Sequence, residues 1–211
     1  MKKTLLTFAF LAFLSFKLSA QFVDGSIMPN WTMKDINGKT WDLYQLLNEG
    51  KSVILDMSAV WCGPCWNYHN SHKLKTFYEQ YGPNGTISKN KAMVFLLESD
   101  CNSNDACLTK SAGCNNSKNQ GDWSKDTPYP ILNPAKPECQ KILDPYHIGG
   151  YPTVYMVCPN RKGYKLGQPD ANAMAAAIKK NCVTTDITED NIIDQTLSIY
   201  PNPANEFVTI S

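Results

Sequence analysis

Apolar residues along this chain fall into short unbroken runs, with stretches of helical spacing between them. Residues 52–58 (Ser52-Val53-Ile54-Leu55-Asp56-Met57-Ser58) and 92–97 (Ala92-Met93-Val94-Phe95-Leu96-Leu97) have the length of strands. Their near-continuous apolar character is that of strands covered on both faces. Between them Leu74, Phe77, Tyr78 and Tyr81 recur as one face of a helix does. Residues 31–41 alternate around Asn37-Gly38, which predicts a hairpin with a two-residue turn, and Asp42 then caps a short helix through Leu43, Leu46 and Leu47 that ends by Gly50. Pro137 is placed to open a helix carrying Cys139, Ile142 and Leu143 that Pro145 stops. Residues 152–158 and 164–166 read as antiparallel strands joined by a turn through Pro159-Asn160-Arg161-Lys162-Gly163. Asp170 or Asn172 caps a last helix with Met174, Ala177, Ile178 and Cys182 on one face.

The pattern fails in three places. From 100 to 127 the chain is rich in Asn, Ser and Gly and carries Cys101, Cys107 and Cys114, with a short helix over 105–110 as its one expected element. A loop that long in a compact domain is functional or pinned, and three cysteines point to pinning. Residues 1–20 pair Lys2 and Lys3 with an apolar core over 5–16 and end Leu18-Ser19-Ala20, the make-up of a secretory leader cut before Gln21 and too short to span a bilayer. Beyond Val183, residues 184–195 are polar and acidic, as a linker is, and residues 196–211 resume with Tyr200-Pro201-Asn202-Pro203 and the alternating Phe207-Val208-Thr209-Ile210.

The chemistry concentrates at Trp61-Cys62-Gly63-Pro64-Cys65, where the apolar run 52–58 gives way to helical spacing. Amide N–H groups at a helix N-terminus lack intrahelical partners and the dipole there is positive, so a thiolate at Cys62 is stabilised and becomes a nucleophile near neutral pH. Cys65, one turn on, is placed to attack a mixed disulfide at Cys62, and Pro64 suits the opening turn. Zinc binding would need a second closely spaced Cys/His pair, which the other six cysteines do not offer; His69 and His72, on the same expected helix, read as packing or surface residues. No metal and no cofactor are called for.

Trp61-Cys62-Gly63-Pro64-Cys65 after an apolar strand resembles the thioredoxins and their secreted redoxin relatives. Asp56, six residues before Cys62, stands where that family keeps a buried carboxylate that relays a proton for the second cysteine, and Gly150-Tyr151-Pro152-Thr153 matches the loop whose cis-proline faces the active-site disulfide. The resemblance covers about residues 28–182. It implies an α/β thioredoxin fold with a mixed four-to-five-stranded sheet flanked by helices, Tyr151–Pro152 in cis, an N-terminal hairpin extension and a Cys-rich loop insertion where redoxins commonly carry a helix. Tyr129-Pro130-Ile131-Leu132 resembles the redoxin segment leading into the next helix. It further implies Cys62 and Cys65 as catalytic, Asp56 as proton relay, and Trp61, Tyr151 and Pro152 as an apolar rim for a polypeptide. Cys62 is expected to be exposed and Cys65 shielded. Trp66, immediately after the motif, departs from the basic residue usual in thioredoxin.

Sequence alone leaves all pairings of the remaining six cysteines open. In a thioredoxin-like layout the ends carrying Cys158 and Cys182 approach one another, and Cys101 follows one strand near the start of the helix that carries Cys139. The expected bridges are therefore Cys158–Cys182, Cys101–Cys139 and, within the loop, Cys107–Cys114. The Tyr-Pro-Asn-Pro stretch resembles the opening of the C-terminal sorting domain of the type IX secretion route of certain Gram-negative bacteria. Such domains are far longer than residues 196–211, so the expectation is a chain that stops inside one, with secretion machinery as a partner.

Composition adds one exclusion and one direction. The formal net charge is +1 with no long basic run, so the footprint of a nucleic-acid binder is missing. Eight cysteines are many for a reduced cytosol and direct the chain to the periplasm, cell surface or exterior. Two functions stay open: a thiol-disulfide oxidoreductase that exchanges disulfides with protein substrates and takes part in cell redox homeostasis, and a secreted thioredoxin-like binding module with a non-catalytic disulfide. A peroxiredoxin is disfavoured, because Ala59-Val60-Trp61-Cys62 lacks the threonine of a Thr-x-x-Cys site.

Overall fold

The computed structural model describes residues 22–182. The expected leader, linker and sorting-domain segment lie outside the described residues.

In chain order the elements are β1 (Thr32–Lys34), β2 (Thr40–Asp42), α1 (Leu43–Asn48), β3 (Ser52–Ser58), α2 (Gly63–Asn70), α3 (Lys73–Tyr81), β4 (Ala92–Glu98), α4 (Asp105–Leu108), β5 (Ile131–Leu132), α5 (Glu138–Leu143), a 3-10 turn (Asp144–Tyr146), β6 (Thr153–Val157), β7 (Gly163–Gly167) and α6 (Ala171–Asn181). Five strands form one mixed sheet in the order β5-β4-β3-β6-β7, while β1 and β2 make a separate antiparallel pair. β3 runs parallel to β4, β4 parallel to β5, and β6 antiparallel to both β3 and β7. The two central strands are buried at every residue, as their unbroken apolar runs require.

Side chains alternate across a strand, so the sheet makes two cores. Ile54, Val94, Leu96, Val154 and Met156 pack on one face with Cys65 and Tyr68 of α2, Leu74 and Phe77 of α3, and Met174 of α6. Val53, Leu55, Met57, Phe95 and Tyr155 pack on the other with Leu43, Leu46 and Leu47 of α1 and Ile142 and Leu143 of α5. The period of two puts Asp56 on the first face, with Ile54 and the helix that follows Cys62.

The structure corrects three local expectations and adds one strand. The hairpin loop has three residues, not two: Asp35 N–H donates to the Lys39 carbonyl at 2.9 Å, and Gly38 sits at φ +85°. The cause is Asp35, whose carboxylate accepts the Asn37 and Lys39 amides and the Trp41 indole N–H and so organises the wider turn. The helix after Cys62 is broken, because His72 takes a left-handed φ of 55° between α2 and α3, so His69 and His72 do not share a helix. Ile131 and Leu132 form the edge strand β5, for which a two-residue run gave no periodic signal. Cys62 is 5% exposed, buried rather than open, although it is still more accessible than Cys65 at 0%. Trp31 and Trp41 pack edge-on against Phe95, at ring separations of 5.7 and 5.3 Å, as sheet-edge residues.

The 100–127 stretch has only the single turn of α4 as regular structure. Asparagine side chains close it on itself: Asn104 Nδ2 donates to the Gly113 carbonyl, Asn115 Nδ2 to the Asn102 carbonyl, and Asn119 Nδ2 to the Cys107 carbonyl, at 2.7–2.9 Å. Leu108 and Trp123 anchor it in the first core.

Candidate active site

Cys62 is the N-cap residue of α2: its backbone is extended, and its Sγ accepts the Cys65 N–H at 3.2 Å. This is the position at which orphan amides meet a side chain, and Pro64 in the first turn costs no hydrogen bond. Cys62 and Cys65 are joined in a disulfide with Cα atoms 5.2 Å apart. The low exposure of Cys62 is that of the closed ring, in which its Sγ lies against the first turn of α2.

Asp56 lies mid-strand, fully buried, and registers with Leu96 of β4 and Val154 of β6. Ser58 O–H donates to Oδ1 at 2.9 Å, while Oδ2 has no hydrogen-bond partner among the described residues. Burial pushes its carboxyl up to about 7, against the lowering effect of the Ser58 hydrogen bond. An acid poised near neutrality on the face that carries Cys65 can take up and return a proton.

Trp61 and Tyr151 meet edge to face at 6.0 Å, and Trp61 is the more open of the two at 40% exposure. The Tyr151–Pro152 bond is cis and Pro152 is buried. Tyr151 O–H donates to the Ser99 carbonyl at 2.7 Å, and Thr153 O–H closes the same loop onto the Gly150 carbonyl at 2.8 Å. The Trp61 indole N–H donates to Asp100 Oδ2 at 2.6 Å. Two of the three residues named from sequence, Trp61 and Tyr151, are thus tied to the segment that follows β4, and the third, Pro152, leads into β6.

The other six cysteines are bonded as Cys101–Cys139, Cys107–Cys114 and Cys158–Cys182, with Cα separations of 5.7, 4.5 and 5.0 Å. The first joins the segment after β4 to α5; the last joins the end of β6 to the end of α6. Closing loops of 38 and 24 residues, these two restrict the unfolded chain most, each by about 3–4 kcal/mol.

His69 does not face solvent. It stacks on Trp66 at 5.5 Å and tilts against Trp123 at 5.1 Å, its Nδ1 has no partner among the described residues, and burial, aided by the His72 charge, pulls it down to about 4. It is a neutral packing residue. No group of three or more His, Cys, Asp or Glu among the described residues is arranged to hold a metal ion.

Sequence reasoning passed over Glu98, Asp100 and Gln120. Gln120 N–H donates to the Val60 carbonyl at 2.9 Å and its Nε2 to the Trp61 carbonyl at 3.1 Å, so the Cys-rich insertion docks on the two residues that precede Cys62. No local pattern reveals such a contact. Glu98 was detectable: as Asp56 lies within one apolar run, Glu98 closes another, and burial of a carboxyl needs a reason.

Docking is close enough to test. Trp66 and Trp123 meet edge to face at 5.1 Å, and a Cβ on Gly121 would lie 2.4–2.5 Å from the Trp66 ring. Gly121→Ala is therefore expected to destabilise the protein by about 1–3 kcal/mol, because the indole, packed against His69 and Trp123, has little room to retreat. Urea unfolding measures this; a midpoint equal to wild type would show that the insertion rides freely on α2.

No family model matches the chain. ResA, the thiol-disulfide oxidoreductase of Bacillus subtilis (strain 168), is 23% identical over 145 residues, which is 68% of this chain and, at 66%, just under two thirds of that protein's length. Among solved structures, the thioredoxin domain of a thiol-disulfide oxidoreductase from Bacteroides vulgatus aligns with a TM-score of 0.52 at 19% identity, over 76% of this chain and 99% of that one. Yeast Sco1 aligns with a TM-score of 0.54 at 14% identity, over 74% and 94%. Strand order, helix placement and these alignments agree: the chain has the thioredoxin-like fold, with a Cys-x-x-Cys pair capping the helix that follows its central strand.

Proposed function

We propose that this protein is an exported thiol-disulfide oxidoreductase that exchanges disulfides with protein substrates through Cys62 and Cys65. The observation that carries the reading is Cys62 at the N-cap of α2, bonded to Cys65 one turn on, with the half-satisfied buried acid Asp56 on the same face of the sheet. In the reducing direction, the Cys62 thiolate attacks a substrate disulfide, forms a mixed disulfide and expels one substrate thiolate. Cys65 passes its proton to Asp56, and its thiolate then attacks Cys62 Sγ. The second substrate thiolate leaves and takes up a proton, and the Cys62–Cys65 disulfide remains. Two electrons move from the protein dithiol to the substrate disulfide; the oxidising direction is the reverse. Trp61, Tyr151 and Pro152 form the apolar ledge for the substrate chain, and the other three disulfides are structural. No cofactor takes part.

Export rests on the leader-like residues 1–20 and on four disulfides among the eight cysteines. No helix of the described residues is long and apolar enough to cross a membrane. Residues 21–183 would act at the periplasm, cell surface or exterior, with 184–195 as linker and 196–211 engaging type IX secretion machinery. The test is dithiothreitol-dependent reduction of insulin by the protein and by Cys62→Ser. Catalysis that disappears with the substitution supports the enzyme; turbidity that develops equally fast with both turns the reading to a binding module with an inert disulfide.

A further inference from the structure

The disulfide-exchange reading leaves one buried acid without a task. Glu98 closes β4, is 1% exposed and registers with Ser58, two residues along from the pair that contains Asp56. A carboxyl in such a place costs stability unless its oxygens are engaged. Glu98 engages the frame of the site. Its Oε2 accepts the Val60 N–H at 2.8 Å and its Oε1 accepts the Asp100 N–H at 3.3 Å, which sets the two carboxyl groups beside one another. Asp100 holds the Trp61 indole, and the Ser99 carbonyl between the two acids holds the Tyr151 hydroxyl. One side chain thus holds the backbone of Val60 and of Asp100, and the segment it anchors holds the indole next to Cys62 and the residue before Pro152.

We propose that Glu98 is a positioning residue for the chemistry of Cys62 and Cys65: it clamps the Val60 amide and Asp100 and thereby fixes Trp61 and Tyr151 as the substrate ledge. This rests on the oxidoreductase reading above. Two neighbouring carboxyl groups out of water favour one proton between them, with Glu98 the protonated partner and Asp100 the ionised one. Burial, then the Asp100 hydrogen bond and charge, push Glu98 up to about 9. Asp100 is raised by burial, but hydrogen bonds from Glu98, Asn102, Trp61 and Ser103 outweigh this and hold it below the usual carboxylate range. Among the described residues, the other ionisable group that faces the pair is the Tyr151 phenol, raised by burial and then by the charges of Asp100 and Glu98. Above about pH 9 the clamp loses its donor and sets two negative charges side by side, so Glu98 repels Asp100 and no longer fixes the acceptor of the Trp61 indole.

Glu98→Gln keeps an acceptor for Val60 and a donor for Asp100 and cannot ionise; Glu98→Ala removes both. With insulin as substrate, Glu98→Ala is expected to lose about tenfold in kcat/KM at neutral pH, chiefly through KM, since hydrogen bonds to charged groups are worth that much. Glu98→Gln is expected within about threefold of wild type at neutral pH. Taking the ratio of Glu98→Gln to wild type at each pH cancels the titration of the thiols, and that ratio is expected to rise through about pH 9, where only the wild type ionises. A purely structural role would lower the melting temperature of both variants and leave the ratio flat, and a flat ratio overturns the proposal even where Glu98→Ala does not fold. Glu98→Ala with wild-type kcat/KM overturns it as well. Cys62→Ser, run alongside, separates the two readings: if it is as active as wild type, the oxidoreductase reading fails and takes this one with it, whereas an inactive Cys62→Ser beside indifferent Glu98 variants sinks the positioning role alone.

Discussion

Asp56→Asn is expected to make the protein more stable at pH 8 and to leave its stability at pH 3 nearly unchanged. The acid is fully buried and its carboxyl is raised by burial from 3.8 to about 7. Between those two values the folded chain holds a proton that the unfolded chain has released, so stability falls as pH rises through that window. Below it both states are protonated and nothing is lost; above it both are ionised and the whole cost is present. Three pKa units set that cost at about 4 kcal/mol, and the net gain with asparagine at about 2–4 kcal/mol, because the amide can still accept the Ser58 hydroxyl. For a chain of this size the melting temperature at pH 8 would rise by roughly 5–15 °C. Some slope persists in the variant, since Glu98, raised by burial from 4.5 to about 9, contributes the same sign over its own window. The gain in stability would come with a slower reaction, because Cys65 loses its proton acceptor. Thermal melts at the two pH values are decisive: a variant no more stable at pH 8, or one stabilised equally at pH 3, contradicts a buried acid ionised at the expense of the fold.

Much of this frame was legible from the sequence because its signals were local. β3 and β4 announce themselves by unbroken apolar runs, and the cap at Cys62 by a strand meeting helical spacing at a Gly-Pro pair. Asp56 was legible for a related reason: one charge inside a run of buried residues is either an error of reading or a group with work to do. The misread features depend on partners distant in sequence or on side-chain chemistry within a loop. The Asn37-Gly38 pair marks a turn correctly, but its length was set by Asp35, which gathers two amides and an indole around one carboxylate. β5 is two residues long and exists because β4 offers it a parallel edge.

The 100–127 insertion shows the limit most clearly. Its composition marks it as a loop, and composition cannot say where a loop goes. Its destination is decided by Trp123 in the core beside Trp66 and His69, by Gly121 admitting the Trp66 ring, and by Gln120 on the backbone of Val60 and Trp61. Most solvent-exposed turns in such a segment are interchangeable; these three contacts are not, since they bring the insertion against the residues that lead into Cys62. Glu98 and Gln120 hold that approach from opposite ends of its peptide groups, one through the Val60 N–H and the other through the Val60 carbonyl.

Cys65→Ser is expected to stop turnover and convert the protein into a trap. With Cys65 replaced, Cys62 still sits at the N-cap of α2, where the helix dipole and free amides favour its thiolate, and on the proposed mechanism it should still attack a substrate disulfide. What is lost is the thiol one turn away that would release the product, so a covalent adduct between Cys62 and the substrate should accumulate and dissolve only on addition of dithiothreitol. Cys62→Ser should form no such adduct, since the buried Cys65, with 0% of its surface accessible, cannot be reached by a folded partner. The same asymmetry should appear in the reduced wild-type protein: iodoacetamide labels Cys62 first, and peptide mapping at partial modification finds Cys65 unmodified. Opening the disulfide frees Cys62 Sγ from the ring that folds it against α2, so its reactivity in the reduced state should exceed what 5% exposure in the oxidised state implies. Non-reducing electrophoresis of the two serine variants with a disulfide-bonded substrate reads this out; an adduct formed by Cys62→Ser and not by Cys65→Ser would exchange the roles of the two cysteines.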